Sequence, residues 1–280
     1  MEARIVAAFP LAGVRAGSAL LRVGARLLAV QDDAYCACWI ELPSLNVTQF
    51  VLKADGAPLP KTVKPDFEAA VRTADGRIHL LGSGSTRQRM VLARIDAARG
   101  SVTLTDMPQI YDCVQGALDL ATGPNIEGAT VDGDVLRLFH RGIGTASATI
   151  DLPLAVLDGE PPEVLAWRWI RLGQLEGVPL SVTDAAMVGR HRTLFLAVAE
   201  DTIDAIADGP VVGCAIGLLT GSPDRQEAHW CRVLDADGRP SRRKLEGVAV
   251  DDDLRAAWVI TDSDDPRQPA ELCRVELQGF

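Results

Sequence analysis

The sequence lacks long apolar runs, an excess of basic side chains and many aromatic residues. No stretch approaches the roughly 18 consecutive apolar residues that a membrane-spanning helix needs. The first residues do not fit a secretory leader, because Glu2 is acidic and Pro10 interrupts the short apolar stretch. The formal charge of −10 disfavours binding to nucleic acid or to an anionic membrane. We therefore expect a cytoplasmic protein that binds neither.

The common motifs of enzyme active sites are also missing. The chain has no G-x-S-x-G elbow, no P-loop, no G-x-G-x-x-G after a strand and no H-E-x-x-H. Among its six cysteines, Cys36 and Cys38 are close in sequence but have no second close pair to complete a zinc site. We expect the cysteines to be reduced and mostly buried.

What the sequence does contain is β-structure. The chain has 280 residues, 48% of them hydrophobic, which is enough for a large core in a single domain spanning residues 1–280. Alternating apolar residues dominate, short turn signals such as Asp132-Gly133-Asp134 separate them, and helical patterns are scarce. Many short strands joined by tight turns predict an all-β sandwich, barrel or propeller.

A repeat favours the propeller. Five segments place an acidic or hydroxyl residue before an apolar run, a turn and a second apolar run. Their spacing of 50 to 62 residues suits four-stranded blades with long loops, since propeller repeats run roughly 40 to 50 residues. We predict a five-bladed β-propeller, with six blades as the alternative. The equivalent positions are Ser18, Glu68, Glu127, Asp184 and Glu246.

Two further segments fit this architecture. After Glu246 only three strands fit before the chain ends at Phe280, so residues 4–9 are predicted to supply the missing outer strand. Such a closure pairs the first and last strands and removes open sheet edges. Residues 111–121 can form a short helix before the third repeat.

The equivalent residues would form a ring, because the innermost strand of each blade lines the channel of a propeller. Carboxylates that lie close together must take up protons or share a cation. Oxygen ligands without a nearby histidine or cysteine select Ca²⁺, and Mg²⁺ fits less well. In the fourth repeat Ser181 or Thr183 can replace Asp184. The alternative is that the carboxylates bind backbone amides of neighbouring blades.

A second set of residues is expected around the mouth of the channel. The first strand of each blade begins, and the second ends, at the same face. Basic groups there can hold an anionic ligand above the metal, and His140 can transfer protons. We assign His140 and Arg141 as catalytic candidates. The ligand-binding candidates are Lys64, Arg87, Asn125, Lys244 and Asp262.

The segments Ile126-Glu127-Gly128-Ala129 and Leu245-Glu246-Gly247-Val248 resemble those of bacterial esterase-like phytase domains. The ring resembles that of the five-bladed calcium-activated nucleotidases (apyrases). The resemblance implies a central Ca²⁺ held by serine and glutamate side chains, one per blade. Ser18, Glu68, Glu127 and Glu246 match this pattern, whereas Asp184 stands where it has serine.

Two functions follow from these patterns. The first is a non-catalytic propeller with an axial Ca²⁺ that binds a small anionic molecule or a protein partner. The alternative is a metal-dependent hydrolase of an anionic small molecule, such as a phosphoester, in which the ion polarises a phosphoryl oxygen. Whether the protein is an enzyme is left open by the sequence.

Overall fold

The computed structural model describes residues 1–142, 146–202, 209–222, 225–265 and 267–280. Strands make up most of this part of the chain. Its single α-helix, α1 (Pro108–Leu118), overlaps the predicted helical region 111–121 but begins three residues earlier, with a proline in its first turn. No helix among the described residues is long and apolar enough to cross a membrane. All six cysteines are free thiols.

Three antiparallel sheets of four strands follow one another along the chain, as the alternating pattern predicts. In each sheet the strands lie in sequence order. The first contains β2 (Gly17–Val23), β3 (Arg26–Gln31), β4 (Cys36–Glu41) and β5 (Val47–Val51). The second contains β6 (Phe67–Arg72), β7 (Ile78–Gly82), β8 (Val91–Asp96) and β9 (Ser101–Asp106). The third contains β10 (Ile126–Asp132), β11 (Val135–His140), β12 (Ser147–Pro153) and β13 (Ala166–Ile170).

The rest of the chain builds a small hairpin and an eight-stranded sheet. The hairpin pairs β14 (Gln174–Leu175) with β15 (Val178–Pro179). The larger sheet has the order β16-β17-β18-β19-β1-β22-β21-β20. Its strands are β16 (Ser181–Gly189), β17 (Arg192–Glu200), β18 (Val211–Thr220), β19 (Glu227–Leu234), β1 (Glu2–Pro10), β22 (Glu271–Gln278), β21 (Ala256–Thr261) and β20 (Leu245–Val250). Since β16 and β20 also contact each other, this sheet is nearly closed.

The N-terminal strand pairs with the last strand, as predicted from the incomplete final repeat. β1 runs antiparallel to β22 from Glu2↔Gln278 to Pro10↔Glu271. Its pairing with β19 is parallel and limited to Ala3 and Arg4. The short parallel pairing is therefore a narrow junction between two four-stranded halves.

The first strands of the five groups of strands are β2, β6, β10, β16 and β20. They lie side by side and close into a ring. β2 contacts β6, β6 contacts β10, β10 contacts β16, β16 contacts β20, and β20 contacts β2. Five hydrophobic clusters make up the described core, and each fills the space between two neighbouring groups of strands. This arrangement is typical of a propeller. The count of five blades stays a prediction.

Candidate functional site

Each of the first strands contains a β-bulge near its beginning. The pairing with the second strand skips one residue in β2, β6, β10, β16 and β20. A bulged residue has no partner opposite it, and its side chain is redirected relative to the regular pleat. The skipped residues are Ser18, Glu68, Glu127, Thr183 and Glu246.

In β16 the equivalent residue is therefore Thr183. This corrects the prediction that Asp184 belongs to the ring. The register pairs Val182 with Ala197 and Asp184 with Leu196, which leaves Thr183 unpaired. The sequence comparison pairs Asp184 with the glutamates of the other repeats because all are acidic. This places the fourth repeat one residue out of register. Thr183 is one of the two alternatives that the sequence allows at this position, and the bulge supports it.

Asp184 occupies the position after the bulge, where the other first strands have glycine or alanine. A Cβ on Gly247 would lie 2.7 Å from the backbone of Ala19 and Leu20, and one on Gly128 would lie 3.1 Å from Asp184. The glycine of the Glu-Gly pair thus permits close approach of the neighbouring first strand.

The carboxylate of Asp184 binds backbone amides instead of facing the cavity. Its Oδ2 accepts a hydrogen bond from Val248 N at 2.8 Å. Burial raises the pKa of Asp184 well above its usual range, although amides of Val248, Ala185 and Leu20 oppose the shift. For this one position the expectation of amide-bound carboxylates holds.

A polar cavity of about 300 Å³ opens where the first strands begin and the second strands end. This is the end at which the ligand site was predicted. Among the described residues its lining has nine carboxyl groups against six basic side chains. The carboxylates belong to Asp32, Asp33, Asp66, Glu68, Glu127, Glu246, Asp262, Asp264 and Asp265. The basic groups belong to Arg15, Lys61, Lys64, Arg89, Arg141 and Lys244.

The glutamates of the ring are only partly satisfied by neighbouring side chains. Glu127 accepts a hydrogen bond from Asn125 Nδ2 at 2.6 Å and lies 3.6 Å from Arg141 Nη1. Lys244 Nζ lies 3.6 Å from Glu246 Oε1, while Glu246 Oε2 is buried without a hydrogen-bond partner in the described part of the chain. Burial raises the pKa of Glu246 well above its usual range. Such an atom costs free energy unless a proton or a cation reaches it.

Elsewhere in the cavity lining, three carboxyl groups lie together. Single oxygens of Asp32, Asp66 and Glu68 are within 4.8 Å of one another. Lys64 Nζ forms ion pairs with Asp32 and, at 2.8 Å, with Asp66. Burial disfavours the charged lysine, but Asp32, Glu68 and Asp66 outweigh it and raise the pKa of Lys64. Burial also raises the pKa of Glu68, and Asp66 and Glu127 raise it further.

The two hydroxyls of the ring make the same contact. Ser18 Oγ donates to Phe67 O of the next first strand at 2.5 Å, and Thr183 Oγ1 donates to Leu245 O at 2.6 Å. Both proton positions are used in these bonds. The oxygen lone pairs can still accept; Ser18 lines the cavity, whereas Thr183 is fully buried and is not among the lining residues.

His140 is not among the residues that line the cavity. Its side chain is buried, Nδ1 accepts a hydrogen bond from Asn125 N at 3.0 Å, and the imidazole packs edge-on against Trp169. Burial lowers the pKa of His140 to about 4, although the contact of Nδ1 with the Asn125 carbonyl oxygen at 3.2 Å opposes the shift. This corrects its expected placement at the mouth of the channel. His140 instead holds Asn125, which lies just before β10, and so helps to position Glu127 in that strand.

Arg87 is also displaced from the expected position. A single 3₁₀ turn (Arg87–Arg89) follows β7, and it directs the two arginines to opposite sides. The Arg87 side chain is 70% exposed and lies 3.6 Å from Asp112. Arg89 is buried in the cavity wall, where Nη1 binds Asp66 Oδ2 at 2.8 Å. The sequence therefore predicts the correct loop, but Arg89 and not Arg87 lines the cavity.

The other predicted side chains line the cavity. Arg141 Nη2 donates to Glu200 Oε2 at 2.5 Å, which holds the guanidinium beside Glu127. Lys244 Nζ binds Asp264 at 2.9 Å. Burial raises the pKa of Asp262 to about 7, and Asp264 raises it while Lys244 opposes the shift. The structure therefore brings Lys64, Asn125, Arg141, Lys244 and Asp262 together.

Several cavity residues were not singled out in the sequence. Arg15, Lys61 and Arg89 come from loops whose lengths differ between repeats, so spacing does not identify them. Asp66 has a usable signal, because it lies two residues before Glu68, as Asn125 lies before Glu127. Asp66 also adopts a left-handed backbone conformation with φ of 55°.

Sheets arranged around a charged axial cavity define an all-β, β-propeller-like protein. The chain belongs to a family of unknown function (DUF6929), whose model matches residues 13–277. A comparison with curated proteins finds no match.

A solved structure with a TM-score above 0.5 supports this fold. The chain is similar to the luciferin-regenerating enzyme, with 10% identity, a TM-score of 0.52, and coverage of 98% of this chain and 96% of that chain. The RRP9 WD40 repeats align with 6% identity and a TM-score of 0.48, covering 99% and 100%. Hydrazine synthase of Kuenenia stuttgartiensis aligns with 10% identity and a TM-score of 0.46, covering 89% and 74%. At 10% identity the likeness to the luciferin-regenerating enzyme concerns the fold alone.

Proposed function

We propose that the chain is a five-bladed propeller and a binding module, whose cavity holds a divalent cation together with a small anionic molecule. The blade count is supported by the closed order of five first strands and by one bulge in each. In this interpretation the eight-stranded sheet is two blades joined at the short β1–β19 pairing.

The observation that carries the cation is the set of unpartnered carboxylate oxygens at the cavity. Glu246 Oε2, Asp32 Oδ1 and Asp33 Oδ1 are buried without a hydrogen-bond partner among the described residues. These residues line a cavity whose described lining has three more carboxyl groups than basic side chains. An all-oxygen set with irregular positions suits Ca²⁺ better than Mg²⁺, which demands near-ideal octahedral geometry.

The residues that would hold the ion are those of the bulges. Glu68, Glu127 and Glu246 supply carboxylates, and Ser18 and Thr183 supply hydroxyls. With Thr183 in place of Asp184, a hydroxyl stands at the fourth position, as the resemblance to calcium-activated nucleotidases implies. This agreement supports the proposal more strongly than the sequence alone did.

An anionic molecule fits the same cavity because basic groups surround it. The lining includes Arg141, Lys244, Lys64 and Arg89. Each is ion-paired with a cavity carboxylate. A bound cation would compete for those carboxylates and release the basic groups toward the anion. Cation and anion are therefore expected to bind cooperatively.

The convergence of basic groups also favours the hydrolase as a second candidate. A bound divalent cation would stabilise charge on a phosphoryl oxygen. Arg141 and Lys64 would hold the anion, and Asp262 would carry the proton in place of His140. Turnover of p-nitrophenyl phosphate with Ca²⁺, lost in Asp262→Asn, supports this candidate. The absence of turnover leaves the binding module.

Isothermal titration of metal-free protein with CaCl₂ and with MgCl₂ tests the binding module. We expect Ca²⁺ to bind more tightly, and Glu246→Gln to weaken it about tenfold or more, because this change removes a ligand charge but keeps the shape. Glu276→Gln, on the exposed face of β22, is the matched control. If Glu246→Gln binds Ca²⁺ like Glu276→Gln, the ring is not the cation site.

A further inference from the structure

The opposite end of the channel forms a second cavity with different chemistry. Its volume is about 230 Å³, and it is lined by the later halves of the same five strands. The segments are residues 20–22, 70–72, 129–131, 185–187 and 248–250. Apart from one threonine and two arginines, every lining side chain is apolar. None of the described carboxyl groups lines it, in contrast to the nine at the other end.

The two arginines of this cavity differ in their partners. Arg22 Nη1 binds Asp251 at 2.6 Å, so its charge is neutralised locally. Arg72 has no ion pair or hydrogen bond to its side chain in the described part of the chain, and it is exposed at the rim. In a protein of net charge −10, an unpaired guanidinium above an apolar cavity is a local site for negative charge.

We propose that this end of the channel binds a small amphipathic anion, with its apolar chain between the five strands and its acidic group on Arg72. Ligand sites are typically apolar cavities with a few polar groups that set orientation. The cavity lies below the roughly 300 Å³ at which drug-sized sites begin, so the ligand is short. A carboxylate with a medium-length alkyl chain has the required size and charge.

Octanoate is the probe, and the methionine methyl groups report where it binds. The chain has four methionines, of which Met187 lines the cavity, whereas Met90 and Met107 lie buried in the core cluster around α1. Protein labelled with ¹³C at the methionine methyls is titrated with octanoate. We expect the Met187 resonance to shift in a saturable manner, while Met90 and Met107 stay unchanged. Met187→Leu assigns the resonance.

Substitution of Arg72 tests the role of charge. Arg72→Ala is expected to weaken octanoate binding about tenfold or more, as loss of a charge-assisted hydrogen bond predicts. Arg99→Ala is the control, because Arg99 is exposed in the turn after β8 and, within the described ranges, its side chain pairs only with Asp96. 1-Octanol, which lacks the charge, should bind equally to the Arg72→Ala variant and to the unmodified protein. An unmoved Met187 resonance, or equal octanoate affinity in the two arginine variants, overturns the proposal.

Discussion

At the scale of single residues, Thr183 and Asp184 divide two roles between neighbouring positions of β16. The bulge leaves Thr183 unpaired, and its hydroxyl reaches Leu245 O across to β20. Asp184 fills the space that glycine or alanine leaves in the other first strands, and it accepts the amide of Val248. One residue therefore belongs to the ring, and the other joins adjacent strands.

Substitutions at these two positions should separate metal affinity from stability. Thr183→Val removes a hydroxyl ligand and should weaken Ca²⁺ binding about tenfold, whereas Thr183→Ser should retain it. Asp184→Ala leaves backbone amides unpaired and should lower the free energy of unfolding by roughly 1–3 kcal/mol with unchanged Ca²⁺ affinity. Calorimetry and urea unfolding measure the two effects. The reverse pattern would return Asp184 to the ring.

His79 gives a prediction for pH dependence. Burial lowers the pKa of His79 to about 4 from its ordinary value near 6.5, and Arg94 and Arg77 lower it further. Neither ring nitrogen has a hydrogen-bond partner among the described residues. Between pH 4 and pH 6.5, His79 is therefore largely protonated in the unfolded chain but largely neutral in the native protein. The titration of His79 therefore does not lower the free energy of unfolding above pH 6.5, but it lowers it progressively as the pH falls from 6.5 toward 4.

His79→Leu should remove this loss. Between pH 7.5 and pH 5 we expect the unmodified protein to lose roughly 1 kcal/mol more unfolding free energy than the variant, allowing for screening. Urea unfolding at the two pH values measures the difference. At pH 7.5 the variant should be no less stable, because it removes unpartnered polar atoms. Equal losses in the two proteins would mean that His79 does not titrate as described.

At the scale of elements, alternation and turns predict the strands well, because a half-buried strand needs a two-residue period. The polar edge strand β9 (SVTLTD) escaped prediction, since an exposed outer strand carries little apolar pattern. The bulges could not be predicted either. They depend on pairing between strands, and Thr183 differs from Asp184 only through that pairing.

The closure by β1 makes a prediction about two adjacent residues. Ile5 is 3% exposed and packs in the cluster between the halves of the eight-stranded sheet, while Val6 is skipped in the pairing with β22 and is 41% exposed. Ile5→Ala should lower the free energy of unfolding by roughly 2–5 kcal/mol. Val6→Ala should change it by less than about 0.5 kcal/mol. Similar effects in urea unfolding would show that β1 does not hold the sheet together.

At the scale of the whole molecule, the repeat predicts both the propeller-like fold and which end carries the polar site. Five first strands place four of the five predicted ring residues at one cavity. Arg87 and His140 could not be placed from the sequence, since a 3₁₀ turn and the burial of an imidazole decide where they point. The apolar chemistry of the other end follows from the later halves of the same strands.

The central claim is that a cation lies among the bulge residues, and a crystal grown with CaCl₂ tests it most directly. Long-wavelength anomalous scattering locates Ca²⁺ independently of the atoms around it. The account predicts one strong peak on the axis, about 2.3–2.6 Å from carboxylate oxygens of Glu68, Glu127 and Glu246. A peak confined to Asp262, Asp264 and Asp265 at the rim, or no peak with Lys244 and Arg141 still paired to the glutamates, would contradict it.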